Sequence, residues 1–364
     1  MNNSKIDTSN AIFLTLSIVV SYITSSLPKT FVNELKTATL LNIIYITIIV
    51  LFIIVLFCKL FEKFPGLDIL DISQYIAGKW FKKTVGFLFI FYFIVSSSIM
   101  LRNFAEGLDV VYYPLTNHIY IILLFIIATA IASQFDFSST INSYTIIFPI
   151  VFLSALFLFC GNWRNYSFRN IYPILGNGPY TTFISGLKNI GAFGGICYLY
   201  FLSPMLKKPE KMKKIAVISV ISTGGFLLLC SSCLLFLFSN HIEINEIMPL
   251  FLAARFIEFG TFFQRFESVF LLIWIISFCC YLTISCKFAT HIMGRLFNFS
   301  DSKPLSIMIV LLIFSISLIP NNNSNANFFE TNIYRYLRIF IGYILGISVL
   351  MIGNIKKKVG DHNK

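Results

Sequence analysis

Charge is scarce in this chain, and that scarcity decides its class. Only 12% of the 364 residues are charged while 57% are hydrophobic, and the mean hydropathy is +0.81. A soluble core of this size needs far less apolar material, so the chain reads as an integral membrane protein. Long polar stretches are missing too. The longest segments between apolar runs, residues 59–84 and 239–268, are too short to bury a core of their own, which excludes a separate soluble domain. The histidines His118, His241, His291 and His362 are scattered, with no metal-ligand spacing and no Asp partner nearby, so no metal, no cofactor and no triad enzyme is expected. Walker and GxGxxG fingerprints are absent, which leaves nucleotide-driven pumping without support. Carboxylates are absent from the centres of the apolar runs, which weakens a proton pump that would hold a buried Asp or Glu. The eight cysteines fall in or at the ends of apolar runs and read as packing residues, the Cys230-x-x-Cys233 pair included.

What the sequence does hold is a series of apolar runs, near residues 11–27, 40–58, 85–101, 119–132, 144–160, 183–205, 215–238, 269–288, 305–319 and 339–352. They are read as ten transmembrane helices, of which the fourth, ninth and tenth fall short of the roughly 20 residues a span needs. The first run lacks a small-residue cleavage site behind it and reads as a retained span. The formal charge of +12 lies in short loops rather than on one face, so no nucleic-acid partner is expected. With the N-terminus inside, basic residues are twice as frequent in the inner segments as in the outer ones, the latter including Arg335 and Arg338. That bias places both termini in the cytoplasm and leaves the inner lysines beside anionic lipid of the bilayer. The many phenylalanines are expected to be lipid-facing bulk.

Ten spans in one membrane domain, residues 1–364, divide into a five-helix repeat over 11–160 and another over 181–355. An odd number per half makes the second half enter from the opposite side, an inverted repeat. The first span of each half is interrupted. In the first the polar group is Ser21, Thr24, Ser25 and Ser26, ended by Pro28; in the sixth it is Gly191, Gly194 and Gly195, preceded by Lys188. A glycine-broken centre survives in lipid only where it lines a cavity or holds a ligand. Broken helices 1 and 6 at matching positions point to a binding site near the bilayer midplane, although small residues also serve close helix packing. Lys188, the one charge well inside a run, is either part of that site or snorkels outward. Hydroxyls of Tyr92 and Ser96 on the third span, and of Thr283 and Ser285 on the eighth, stand at a similar depth. Arg102 and Glu106, four apart, form an ion pair or a gate. Pro249 to Gly260 suits a short helix in the outer interface.

Ile171-Tyr172-Pro173-Ile174-Leu175-Gly176-Asn177-Gly178-Pro179, the broken span after it, and the exit Leu202-Ser203-Pro204-Met205-Leu206-Lys207-Lys208-Pro209 resemble the spore germination permeases, the B subunits of nutrient germinant receptors. The stretch from Phe262 to Trp274 looks like the same family's eighth span, and the resemblance covers nearly the whole chain. The family is similar to permeases of the amino acid, polyamine and organocation superfamily. The resemblance implies the five-plus-five inverted fold and a non-enzymatic receptor of the spore inner membrane. It also implies a small nutrient ligand of the amino-acid class, with an A-type subunit and a lipoprotein C-type subunit as partners; a working amino-acid transporter is the alternative. In that frame the ligand carboxylate meets free N–H groups near Ser25 and Ser26, and its ammonium faces carbonyls around Asn189 to Gly191.

Overall fold

The computed structural model describes residues 5–25, 27–112, 116–238, 244, 248–258, 266–299, 303–320 and 323–362. In lipid every backbone N–H and C=O must be paired, and a helix does this within one segment. The described residues accordingly form helices and turns throughout, with a single isolated bridge, Ile6 to Leu206, as the exception. In chain order the α-helices are α1 Thr8–Ser25, α2 Leu27–Leu35, α3 Thr39–Phe61, α4 Ile69–Tyr112, α5 His118–Ser133, α6 Phe137–Gly161 and α7 Ile196–Leu202. They continue with α8 Met212–Leu237, α9 Pro249–Arg255, α10 Glu267–Phe297, α11 Lys303–Ser317, α12 Asn323–Phe328, α13 Arg335–Ile339 and α14 Gly346–His362.

Each of the ten apolar runs coincides with helix. Among the described residues six helical stretches are long and apolar enough to cross a membrane: Leu27–Phe61, Ile69–Tyr112, Phe137–Gly161, Pro209–Leu237, Glu267–Phe297 and Asn325–Val359. The helices of the first, fourth, sixth and ninth runs are shorter, so the first joins the fourth and ninth on the short side. The tenth run is corrected: its helix begins well upstream of Ile339 and carries Glu330, Arg335 and Arg338 into the interior. Phenylalanine is corrected as well. Phe57, Phe89, Phe93, Phe104, Phe278 and Phe288 are fully buried, in ring contacts such as the 4.3 Å stack of Phe104 on Phe278. Stacked and edge-on rings fill helix–helix gaps that aliphatic chains leave open.

The interruption expected in the first run leaves α1 regular as far as Ser25, and the run is divided there, α2 beginning at Leu27. Ser21 donates to the Ser17 carbonyl at 3.1 Å and Thr24 to the Ser21 carbonyl at 3.2 Å, so both hydroxyls are absorbed by their own helix, which continues regularly through Ser25. Ser26 lies outside the described residues. The sixth run, by contrast, is irregular along most of its length: a π turn at Tyr180–Ile184, a 3₁₀ stretch at Ser185–Phe193, then α7 and a closing 3₁₀ turn at Ser203–Met205. Its far end is tied to the start of the chain. The Ile6 N–H donates to the Met205 carbonyl at 2.8 Å and the Lys207 N–H to the Ile6 carbonyl at 3.0 Å, and because Gly195 before α7 lies beside Thr15 and Val19 further along α1, the two helices run antiparallel.

Against expectation α9 is not a surface helix, for Pro249, Leu250, Phe251, Ala253 and Ala254 are all buried against α8 and α10. A glycine is required at position 78, where φ is +79° and ψ is −166°, a conformation closed to residues with a Cβ. That break turns residues 69–76 away from the rest of α4. The Lys356 ammonium fastens the short piece by donating to the carbonyls of Tyr75 and Ile76 at 3.0 and 2.8 Å.

Just before α4, Asp68 is wholly buried and pairs with Arg295, whose guanidinium also donates to Asp71 at 2.6 Å. Burial pushes the Asp68 carboxyl up to about 6, against the downward pull of Arg295. In an unfolded chain the value is about 3.9, so between roughly pH 4 and 6 the folded protein holds a proton that the unfolded chain has released. The sign follows: this group's contribution to stability grows as pH falls through 6 and is lost as pH rises through it. Relative to Asp68→Asn, the wild type is expected to gain about 2 kcal/mol on going from pH 7 to pH 4.5. Paired thermal melts in detergent across that range measure it, and parallel curves would refute the assignment.

Candidate functional site

The irregular sixth run meets α13 through two residue pairs with matching periods. Gly191 and Gly194 stand three apart, as do Arg335 and Arg338. A Cβ at Gly191 would lie 3.3 Å from Cγ of Arg335, and one at Gly194 would lie 3.0 Å from Cδ of Arg338 and 3.1 Å from the Tyr92 hydroxyl. Neither glycine has a positive φ; what each gives up is volume, and an arginine stem takes it. Gly195 faces the other way, where a Cβ would come within 2.7 Å of a Val19 methyl on α1.

Arg335 and Arg338 then diverge. The Arg335 guanidinium donates to Glu34 of α2 at 2.8 Å and reaches Asn189 at 3.5 Å. Lys188 is not a lone charge inside a span: it is about a third exposed and pairs with the same Glu34 at 3.2 Å. Arg338 is the deeply placed cation instead, with 1% of its surface exposed. Its guanidinium carbon sits 4.5 Å from the ring centre of Tyr334 and 5.1 Å from that of Tyr22. Such contacts compensate part of the cost of taking a cation out of water.

Beside it four hydroxyls converge from four helical segments. Tyr22 of α1 lies 2.6 Å from Tyr281 of α10 and 2.5 Å from Tyr334, and Ser96 of α4 lies 2.7 Å from Tyr281. Ser96 also bonds Tyr22 and Tyr334, closing the set. Tyr92 stacks on Tyr334 and donates to the Gly194 carbonyl at 3.3 Å, which links the cluster to the broken run. On the Gly195 side of the break there is a small cavity of about 10 Å³, room for roughly one water, lined by Thr15, Val19, Gly195, Ser219 and Thr223 among others. There Thr15 and Ser219 hydrogen-bond at 2.5 Å.

Of the residues expected at the site, Tyr92, Ser96 and Gly194 meet at this centre. Gly191 and Gly195 flank it, while Ser21 is one turn away against Ser277 at 3.3 Å. Thr24 and Thr283 bond their own helices, and Ser285 pairs with Tyr198 at 2.6 Å. Lys188 sits apart in the Glu34 network. Ser26 is outside the described residues, as are Phe262 to Arg265 of the eighth-span block. Arg102 and Glu106 are both buried and pair at 2.5 Å, with Asn103 bonding Glu330 at 2.5 Å beside them. Glu330 is thus a buried carboxylate the sequence reading had placed outside the spans. Among the described residues no group of His, Cys, Asp or Glu could hold a metal ion.

Arg335, Arg338, Tyr22, Tyr281 and Tyr334 were missed. The available signal was length: the tenth run has too few apolar residues to cross a bilayer, and completing it upstream brings Tyr334, Arg335 and Arg338 inside.

The family model for spore germination proteins, the spore permeases, matches residues 5–326. The chain belongs to that family. Among curated proteins it is similar to spore germination protein YndE of Bacillus subtilis, 24% identical over 362 residues and 98% of both chains. It is 24% identical to spore germination protein A2 of the same organism, over 78% of this chain and 77% of the other. It is also 24% identical to spore germination protein GerQB of Bacillus cereus, over 72% of each. Family membership and the apolar helices together make this a multi-pass membrane protein of spore germination.

Proposed function

We propose that this spore germination protein is the ligand-binding membrane subunit of a nutrient germinant receptor, and that its ligand is a small molecule of the amino-acid class. The observation that carries the reading is the meeting of an irregular sixth span with a buried cation and four interior hydroxyls drawn from the first, third, eighth and tenth spans. Polar groups gathered inside a bilayer are costly, and a binding site is the usual return on that cost. The frame is a five-plus-five inverted repeat, residues 11–160 and 181–355, in the spore inner membrane with both termini cytoplasmic. The antiparallel setting of α1 and α7 supports it, as do the lysines at the ends of both. An A-type subunit and a lipoprotein C-type subunit complete the receptor.

The cavity beside Gly195 is far smaller than an amino acid and admits no such ligand as it stands. Binding therefore requires the segments around Tyr22 and Gly194 to part. The test is a thermal-stability screen of the purified protein against the twenty L-amino acids, followed by labelled uptake into proteoliposomes for any that bind. Stabilisation without uptake is the expected result. Stabilisation with uptake would make the protein a transporter, and no stabilisation by any member of the panel would overturn the reading.

A further inference from the structure

Arg338 has an unbalanced position. Its Nε and Nη1 are buried with no hydrogen-bond partner, although the side chain is almost completely enclosed in the membrane interior. The aromatic faces of Tyr22 and Tyr334 attract the guanidinium but accept none of its in-plane N–H bonds. Neighbouring carboxylates bond other residues: Glu34 takes Arg335 and Lys188, Glu106 takes Arg102, and Glu330 takes Asn103 while attracting Arg338 through its charge. An enclosed cation with idle donors is costly unless an anion completes it. Gly194, Tyr92 and the four-hydroxyl cluster beside it are small or hydroxylic, so a compact anion can be accommodated there once the helices part.

We infer that the Arg338 guanidinium, laid against Tyr22 and Tyr334 where Gly194 makes room for it, binds the carboxylate of the ligand. This rests on the receptor reading above and names the group that holds the ligand's charged end. It moves the carboxylate from the expected α1–α2 junction near Ser25 and Ser26 to α13. Guanidinium suits a planar carboxylate better than an ammonium would, because its donors lie in a plane at fixed angles. The ligand must then carry a free carboxylate, and a neutral analogue of the same shape is discriminated against.

The experiment compares each of the twenty L-amino acids with its own carboxamide by thermal stability and calorimetric titration of the purified full-length protein. Parallel arms use Arg338→Gln, Arg338→Lys and a sodium chloride titration. For the amino acids that bind, the carboxamide is expected to bind about tenfold to a hundredfold more weakly to the wild type. Arg338→Gln removes that discrimination and Arg338→Lys keeps part of it. The wild-type arm stands even if a variant fails to fold. Equal binding of acid and amide to the wild type leaves the receptor reading in place and overturns the role of Arg338. Discrimination that survives in a folded Arg338→Gln overturns it too, as does saturation of the site by chloride alone. If nothing in either series binds, the receptor reading falls and takes this inference with it.

Discussion

Alanine at Arg295 is expected to lower the unfolding free energy by about 3 to 5 kcal/mol near neutral pH, the range seen when one member of a buried ion pair is removed. Asp68 is the reason. It has no exposed surface, and two backbone N–H groups, those of Leu70 and Asp71, donate to it at 2.9 and 3.1 Å, while among the described residues the opposite charge paired with it is that of Arg295. Without that charge the carboxylate is stranded until it takes up a proton, so the penalty should shrink as pH falls towards 5. Asp68→Asn combined with Arg295→Ala should recover most of the loss, because no buried charge remains. Melting temperatures of the four proteins in one detergent form the test cycle. An Arg295→Ala protein that melts with the wild type at pH 7.5 would show that the pair carries no net stability.

Leucine at Gly194 is expected to abolish ligand-dependent stabilisation altogether, while leucine at Gly225 leaves it intact. The contrast comes from space. A Cβ at Gly194 meets Arg338 and Tyr92 at 3.0 and 3.1 Å, whereas a Cβ at Gly225 on α8 meets nothing within 4 Å. Three further carbons at Gly194 must push the arginine stem off the broken run, at an overpacking cost of about 1 to 3 kcal/mol or more. Both variants should remain in the membrane, since neither changes the hydropathy of a span unfavourably. Germination of spores carrying each variant gives the cellular readout, with loss expected for Gly194→Leu alone. A Gly194→Leu receptor that responds normally would detach the glycine from the site.

The parts of this arrangement differ in how plainly they were written. Gly191, Gly194 and Gly195 in an apolar run announced an irregular helix, because backbone pairing in lipid leaves few other uses for them. Tyr92 and Ser96 could be placed by depth along a span. Ser21 and Thr24 of α1 were weaker signals, since a hydroxyl in a helix can return its hydrogen bond to the preceding turn and leave the coil regular, here as far as Ser25. Arg338 was illegible for a different reason: a hydropathy count stops at a guanidinium, but rings stacked over its faces let the helix carry it through. Lys188 and Arg335 looked independent, and only the fold brings both to Glu34 from 150 residues or more along the chain.

The helical stretch bearing Arg338 runs over Asn325–Val359, with π turns at Phe329–Tyr334 and Phe340–Leu345 on either side of the arginine, and near its end Lys356 grips Tyr75 and Ile76. Those two points are 18 residues apart, about 27 Å along the axis at 1.5 Å per residue. A change in the tilt of that stretch at the guanidinium bears directly on residues 69–76, which Lys356 holds at its other end.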